Sequence, residues 1–307
     1  MNSGMTNYCL MTNDVETTSI NGSLHDEIGV KVWKEAMPGL LELYSRYNVK
    51  ATFYFVADFA QKYPEIVKMI LPYGHEVACH GLTHVHSKAF DVLSAEEQLA
   101  HLIEAKKILE DISGEEVISF RAPALRVNEN TVSALTHAGF LTDSSVAPQR
   151  LDMFMSLGSK NKMQWLGAPR TIYQTNEYNL ARKGNSEITE FPVSGFGLPY
   201  IGTLMRLSPS VSRLIRYLVY LETRNSGKAV NFLIHPSEFV AENEDQMQVH
   251  RRESNILLHY FSDVLRVKLK KKNLGVAAFP LFEEELKFWH KKGYSFVTVK
   301  ELYNICK

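Results

Sequence analysis

The chain has 307 residues, 45% of them hydrophobic and 22% charged, an ordinary globular composition that excludes a disordered or fibrous protein. Lys plus Arg and Asp plus Glu each total 34, so the formal net charge is zero and there is no electrostatic footprint for nucleic acid. The three cysteines, Cys9, Cys79 and Cys306, argue against a disulfide framework and suit a reducing compartment.

No run of about 18 apolar residues marks a membrane span. The start, MNSGMTNYCLMTNDVE, lacks the basic opening and apolar core of a secretory signal, so a soluble, cytoplasmic protein is expected. An α/β barrel commonly needs about 250 residues, so one decorated barrel over residues 1–307 is the economical expectation.

Taken in chain order, Tyr8–Asn13 reads as a first strand. Trp33, Met37, Leu40, Leu41 and Tyr44 recur at helical spacing and predict a helix over Val32–Tyr47. Ala51–Val56 (ATFYFV) is aromatic and β-branched, a buried strand. A helix over Ala57–Leu71 then leads to a short strand, His75–Cys79. Ser94-Ala-Glu-Glu97 is a capping-box opening for a helix that Gly114 stops. Next come a strand at Val117–Phe120, a helix near Glu129–Ala138, and strands at Phe140–Ser144, Ile188–Val193, Ala229–Ile234 and Ser295–Val299. Strands interleaved with helices imply a mostly parallel sheet. The stretch 147–186 has little periodicity and is long for a structureless loop, which marks an insertion able to shape a substrate site.

Several candidate residues follow strands, where parallel barrels build their active sites. Asp14 and Glu16 follow the first; such a pair divides into a metal ligand and a general base, or is a loop acid plus a helix-start acid. His80 and His84 follow the third, four apart, as ligands on one helical turn would be. In a chain with 11 histidines that spacing is close to chance; the strand-end position and the upstream acids give it weight. Arg121 could fork onto a carboxylate or lie on the surface. Asp143 could hydrogen-bond a histidine or the arginine, or cap a turn. His235 ends an apolar strand, as a proton donor to a leaving amine or as a core histidine.

In this order the motifs resemble the polysaccharide-deacetylase family, carbohydrate esterase family 4, with its nodulation-type deacetylase homology domain. HEVACHGLTHVHS (His75–Ser87) is similar to the family's H-x-x-x-H metal motif, FRAP (Phe120–Pro123) to its arginine motif, DSS (Asp143–Ser145) to its fourth motif and HPSEF (His235–Phe239) to its final histidine motif. EFPVS (Glu190–Ser194) is typical of one branch. The resemblance implies an irregular (β/α)7 barrel and a divalent metal, zinc first, with cobalt, nickel or manganese as alternatives. It further implies that Asp14 is the base, His80 and His84 are metal ligands, Arg121 orients the base and His235 is the acid. Where the family has a second aspartate as third ligand, this chain has Val15. Glu16 is assigned as the ligand instead; the alternative is that Asp14 binds metal and Glu16 is structural.

The implied reaction is removal of an acetyl or formyl group from the nitrogen of a sugar, carried on a lipid or a nucleotide. Hydrolysis of a non-sugar amide of allantoin type, or an inert carbohydrate-binding descendant, are the competing readings. Leu198–Leu221 combines apolar residues with Arg206, Arg213 and Arg216. It reads either as an amphipathic membrane-surface segment, which would hold the protein at the inner membrane face, or as a core-packing helix with solvated arginines. The sequence gives no oligomeric state.

Overall fold

The computed structural model describes residues 6–16, 26–148, 165–241 and 272–307. The first strand, β1 (Tyr8–Val15), runs two residues beyond its expected end and is buried almost throughout. It is followed by β2 (Ala51–Phe55), β3 (Glu76–Cys79), β4 (Ser119–Phe120) and β5 (Thr142–Asp143). Then come β6 (Tyr173–Asn176), β7 (Asn179–Lys183), β8 (Thr189–Glu190), β9 (Gly195–Phe196), β10 (Leu198–Pro199), β11 (Val230–Ile234) and β12 (Ser295–Phe296).

Seven strands pair in parallel in the order β11-β1-β2-β3-β4-β5-β8. The segment after β8 returns to the far edge, where Ser194 N–H donates to Asn231 O at 2.9 Å. An irregular seven-stranded α/β barrel results, as the sequence implied. Parallel strands covered by helices read as near-continuous apolar runs, and β2 and β11 do so.

The helices depart from expectation where proline intervenes. The stretch 57–71 divides into Ala57–Lys62 and Pro64–Ile70, because Pro64 has no N–H to give and pushes Tyr63 out of helical geometry (φ −129°, ψ 63°). Ahead of Pro38, residues Val32–Ala36 widen into a π turn whose closing bond runs from Met37 N–H to Val32 O. The helix Ala95–Ser113 starts at the expected capping box on Ser94 and stops at Gly114 in the left-handed region (φ 70°).

The insertion is structured in its described part. Residues 149–164 lie outside the described residues, but β6 and β7 form an antiparallel hairpin that extends the sheet from β8. The arginine-rich stretch packs as the helices Gly202–Leu207 and Pro209–Thr223. Two of its three arginines are not solvated: Arg206 and Arg216 are buried, paired with Glu238 and Glu285, while Arg213 is exposed and bonds Glu284. Leu214, Tyr217 and Leu221 are the large hydrophobic residues left exposed on the longer helix. Among the described residues no helix is long and apolar enough to cross a membrane.

Candidate metal and catalytic centre

Successive side chains of a strand alternate faces. On β1, Val15 joins the apolar layer under the helices, and Asn13 bonds outward to Tyr44 Oη at 2.9 Å. Thr12 and Asp14 take the opposite, interior face, and Glu16 follows in register. The D-x-E spacing therefore delivers two carboxylates to one place, which adjacent acids on a regular strand would not.

The turn after β3 carries the histidines. Gly81 between them has φ +79°, and a Cβ there would lie 3.1 Å from Pro123 Cγ. Only glycine satisfies both the conformation and the close approach. Ala57 and Asp58, opening the helix that follows β2, donate backbone N–H groups to Gly81 O and Leu82 O at 2.9 and 3.0 Å, which ties the turn down.

Glu16, His80 and His84 can each offer one ligand atom, all within 4.8 Å of one another. His84 Nε2 lies 2.7 Å and His80 Nε2 3.6 Å from Glu16 Oε2. His80 Nδ1 is 2.8 Å from the Arg121 carbonyl oxygen. A carbonyl can only accept, so Nδ1 carries the proton and Nε2 turns its lone pair toward the carboxylates. Glu16 Oε2 is buried and receives no well-directed hydrogen bond. Burial by itself raises the Glu16 carboxyl, but the imidazoles of His84, His80 and His235 overcome it and hold the group well below the usual carboxylate range. Burial opposes a charge on His84, while the Glu16 carboxylate beside it raises that imidazole. An anion and two imidazole nitrogens thus converge where a positive charge is wanted. One carboxylate and two imidazoles suit a divalent cation with open coordination positions.

Asp14 lies beside this cluster. Its Oδ1 accepts from Arg121 Nη1 at 2.7 Å. Its Oδ2 faces the other way, 3.9 Å from His80 Nε2 and 4.0 Å from His235 Nε2. Arg121 is fully buried and stacks 4.3 Å over the Tyr54 ring, the reverse of a surface arginine. His235, with its side chain 27% exposed, forms the open side, and its Nε2 is 4.0 Å from Glu16 Oε1. The five residues on the His80 side of the barrel and His235 opposite it therefore bracket one small space at the C-terminal strand ends.

Sequence reading missed the supports. Glu238 accepts from His235 N–H at 3.3 Å while its own N–H donates to His235 O at 2.9 Å, which fixes the backbone that carries the imidazole. Arg206 Nη2 and Thr203 Oγ1 anchor Glu238 at 3.0 and 2.8 Å. Asp143 does not bond a histidine or Arg121. Its carboxylate accepts from the Ser145 hydroxyl at 2.7 Å and the Ser145 N–H at 2.9 Å, so it caps the turn after β5. Asp143 lies opposite Glu190 in the pairing of β5 with β8, both fully buried. Burial first, then the Asp143 charge, pushes the Glu190 carboxyl well above the carboxylate range.

Barrel topology and strand-end cluster define a parallel α/β barrel with a candidate metal centre. Residues 26–142 match the family model described as "Polysaccharide deacetylase". That stretch holds His80, His84 and Arg121; Asp14 and Glu16 precede it and His235 follows. The chain is similar to the peptidoglycan deacetylase of Helicobacter pylori, 27% identical over 118 residues, 38% of this chain and 39% of that protein. It is also similar to a peptidoglycan-N-acetylglucosamine deacetylase of Bacillus cereus, 29% identical over 106 residues, 34% of this chain and 47% of that one. The match thus spans less than half the length of these curated relatives. A Pseudomonas aeruginosa structure described as a polysaccharide deacetylase superposes with a TM-score of 0.62 at 14% identity, over 96% of this chain and 90% of that one. At that identity the likeness shows the fold.

Proposed function

We propose that the chain hydrolyses the N-acyl group of an amino sugar, an N-acetylated one first, with Glu16, His80 and His84 as the metal ligands. The observation that carries this reading is the convergence of Glu16, His80 and His84 beside an arginine-bound Asp14. The names of the similar proteins, which act on peptidoglycan or its N-acetylglucosamine, support the substrate class.

A divalent ion, zinc first, held by these three side chains would supply Lewis acidity, lowering the pKa of water and polarising the acyl oxygen. The protein's own groups divide the proton work. Arg121 occupies Oδ1 of Asp14, so Oδ2 is the oxygen left to take the proton of the attacking water. That hydrogen bond also restrains the rotation of the carboxylate. His235 Nε2, across the space from Asp14 Oδ2, is placed to give a proton to the departing amine nitrogen. Two groups that hold protons on opposite sides of one space are what amide cleavage requires, since the amine leaves only when protonated.

The test is metal analysis of the purified protein joined to acetate release from N-acetylglucosamine oligomers and muropeptides. One metal per chain, acetate release, and loss of both in His80→Ala with His84→Ala are expected. Bound metal without acetate or formate release would move the reading to another amide. Sugar binding with no metal would leave a binding protein.

A further inference from the structure

Arg121 makes four hydrogen bonds, and one of them reaches Asp14. Nε donates to Ser144 O at 2.9 Å, and Nη2 donates to Ser144 Oγ at 2.7 Å and Thr12 Oγ1 at 3.1 Å. Behind these hydroxyls lies Asn231. Its Nδ2 donates to Ser144 Oγ at 3.0 Å and Phe191 O at 2.9 Å, and its Oδ1 lies 3.0 Å from Thr12 Oγ1. Thr12, Ser144 and Asn231 are all buried.

The proton positions follow by elimination. A guanidinium only donates, so both hydroxyls must turn lone pairs to Arg121. The Ser144 proton has an acceptor in Phe191 O at 2.7 Å. Phe191 O can only accept, so the amide nitrogen of Asn231 must face it, which turns Oδ1 toward Thr12. The Thr12 proton then goes to Asn231 Oδ1 or to Phe232 O at 3.1 Å. Both hydroxyl protons run away from the arginine and end on a carbonyl oxygen.

These residues come from three strands, β1, β5 and β11, or the residue directly after one. They lie deep in the barrel. Thr12 is two residues below Asp14 and Asn231 four below His235, about 7 and 13 Å at the rise of a strand. Neither reaches the space a substrate would fill.

We propose that Thr12, Ser144 and Asn231 form a proton-ordered clamp that fixes the Arg121 guanidinium in the rotation that presents Nη1 to Asp14. They are positioning residues for the hydrolysis proposed above, and the inference rests on that reading for its kinetic consequence. The clamp also adds side-chain contacts between β1, which bears Asp14, and β11, which leads to His235, two strands already paired through their backbones.

Thr12→Val keeps the shape of the side chain and removes the lone pair; Thr12→Ser keeps the hydroxyl. In Thr12→Val and Ser144→Ala, kcat is expected to fall about ten- to a hundredfold, with KM within about twofold and metal content unchanged. Thr12→Ser should recover most of the loss. In parallel, 15N-arginine-labelled protein should show resolved, slowly rotating Nη resonances for Arg121, identified by their absence in Arg121→Lys. They should average in Thr12→Val and Ser144→Ala but not in Thr12→Ser. Wild-type kcat in both lesions, equal impairment of the Val and Ser variants, or an Arg121 signal that stays locked in Thr12→Val and Ser144→Ala would each overturn the clamp. Should the wild-type protein hydrolyse none of the acylated sugars, the functional reading fails and the arginine spectra alone decide the clamp.

Discussion

Asp14 and Glu16 stand two residues apart at the end of one strand, and their carboxylates meet the same imidazole: His80 Nε2 is 3.9 Å from Asp14 Oδ2 and 3.6 Å from Glu16 Oε2. The residue between them, Val15, is fully buried on the opposite face, among the helices. A strand's alternation makes this division unavoidable.

Val15→Asp should therefore not restore a ligand. It would place an unpaired carboxylate in the apolar layer and destabilise the fold by about 3 kcal/mol or more. Urea unfolding and zinc titration check this. Tighter metal binding with unchanged stability would show that position 15 can reach the centre.

Arg121→Met removes the partner of a buried carboxylate and leaves Thr12 and Ser144 with lone pairs facing a thioether. A stability loss of about 3–5 kcal/mol is expected, together with loss of acetate release, because Asp14 is then buried without its partner and no longer held. Chemical denaturation beside the activity assay reads both. A variant as stable as wild type would contradict the buried pairing.

Gly81→Ala forces a side chain onto a residue at φ +79° and a Cβ against Pro123. A cost of about 1–2 kcal/mol is expected, with weakened metal binding because His80 and His84 flank the strained position. Metal competition against a chromophoric chelator gives the affinity. Undiminished affinity would show that the turn tolerates the change without moving its histidines.

Glu190 predicts a pH dependence. Its folded pKa is raised by burial and by Asp143. The unfolded value is near 4.3. Stability from this group is thus complete below about pH 4.3 and is lost as pH rises toward the folded pKa, where the buried acid is forced to ionise. Glu190→Gln has no charge to gain and keeps an oxygen for the Val146 N–H, which donates to Glu190 Oε1 at 3.0 Å. Relative to wild type, the variant should gain stability between pH 5 and pH 8. Parallel urea curves at the two pH values test it; a constant difference would refute the raised pKa.

The strands of the barrel were legible because ATFYF and VNFLI are what doubly covered parallel strands require, and the helix from Ala95 because its capping box is a local arrangement. The break at Pro64 was written in the sequence and passed over, since apolar periodicity continues across it. The β6–β7 hairpin was not legible: YQTN and NLARK are too short and too polar to alternate clearly, and they pair because β8 offers an edge. The supports of the site were hidden for another reason. Thr12, Ser144 and Asn231 are unremarkable polar residues within strands, and each has meaning only through the others.

The sequence by itself determined which chemical groups this protein owns, and the spacings that stay within one turn or strand: two acids on one face of β1, two histidines four apart, an arginine and a histidine after apolar strands. The placing of the two acids follows from strand periodicity, which acts over a few residues, whereas His80 and His84 flank a non-helical turn at Gly81. Only the tertiary structure decided that Arg121 meets Asp14 across 107 positions, that His235 stands on the far side of the same space, and that Asp143 caps Ser145 while Ser144 takes the arginine. Such meetings depend on how seven strands are registered and closed into a ring, a cooperative property of the packed barrel that no local pattern encodes.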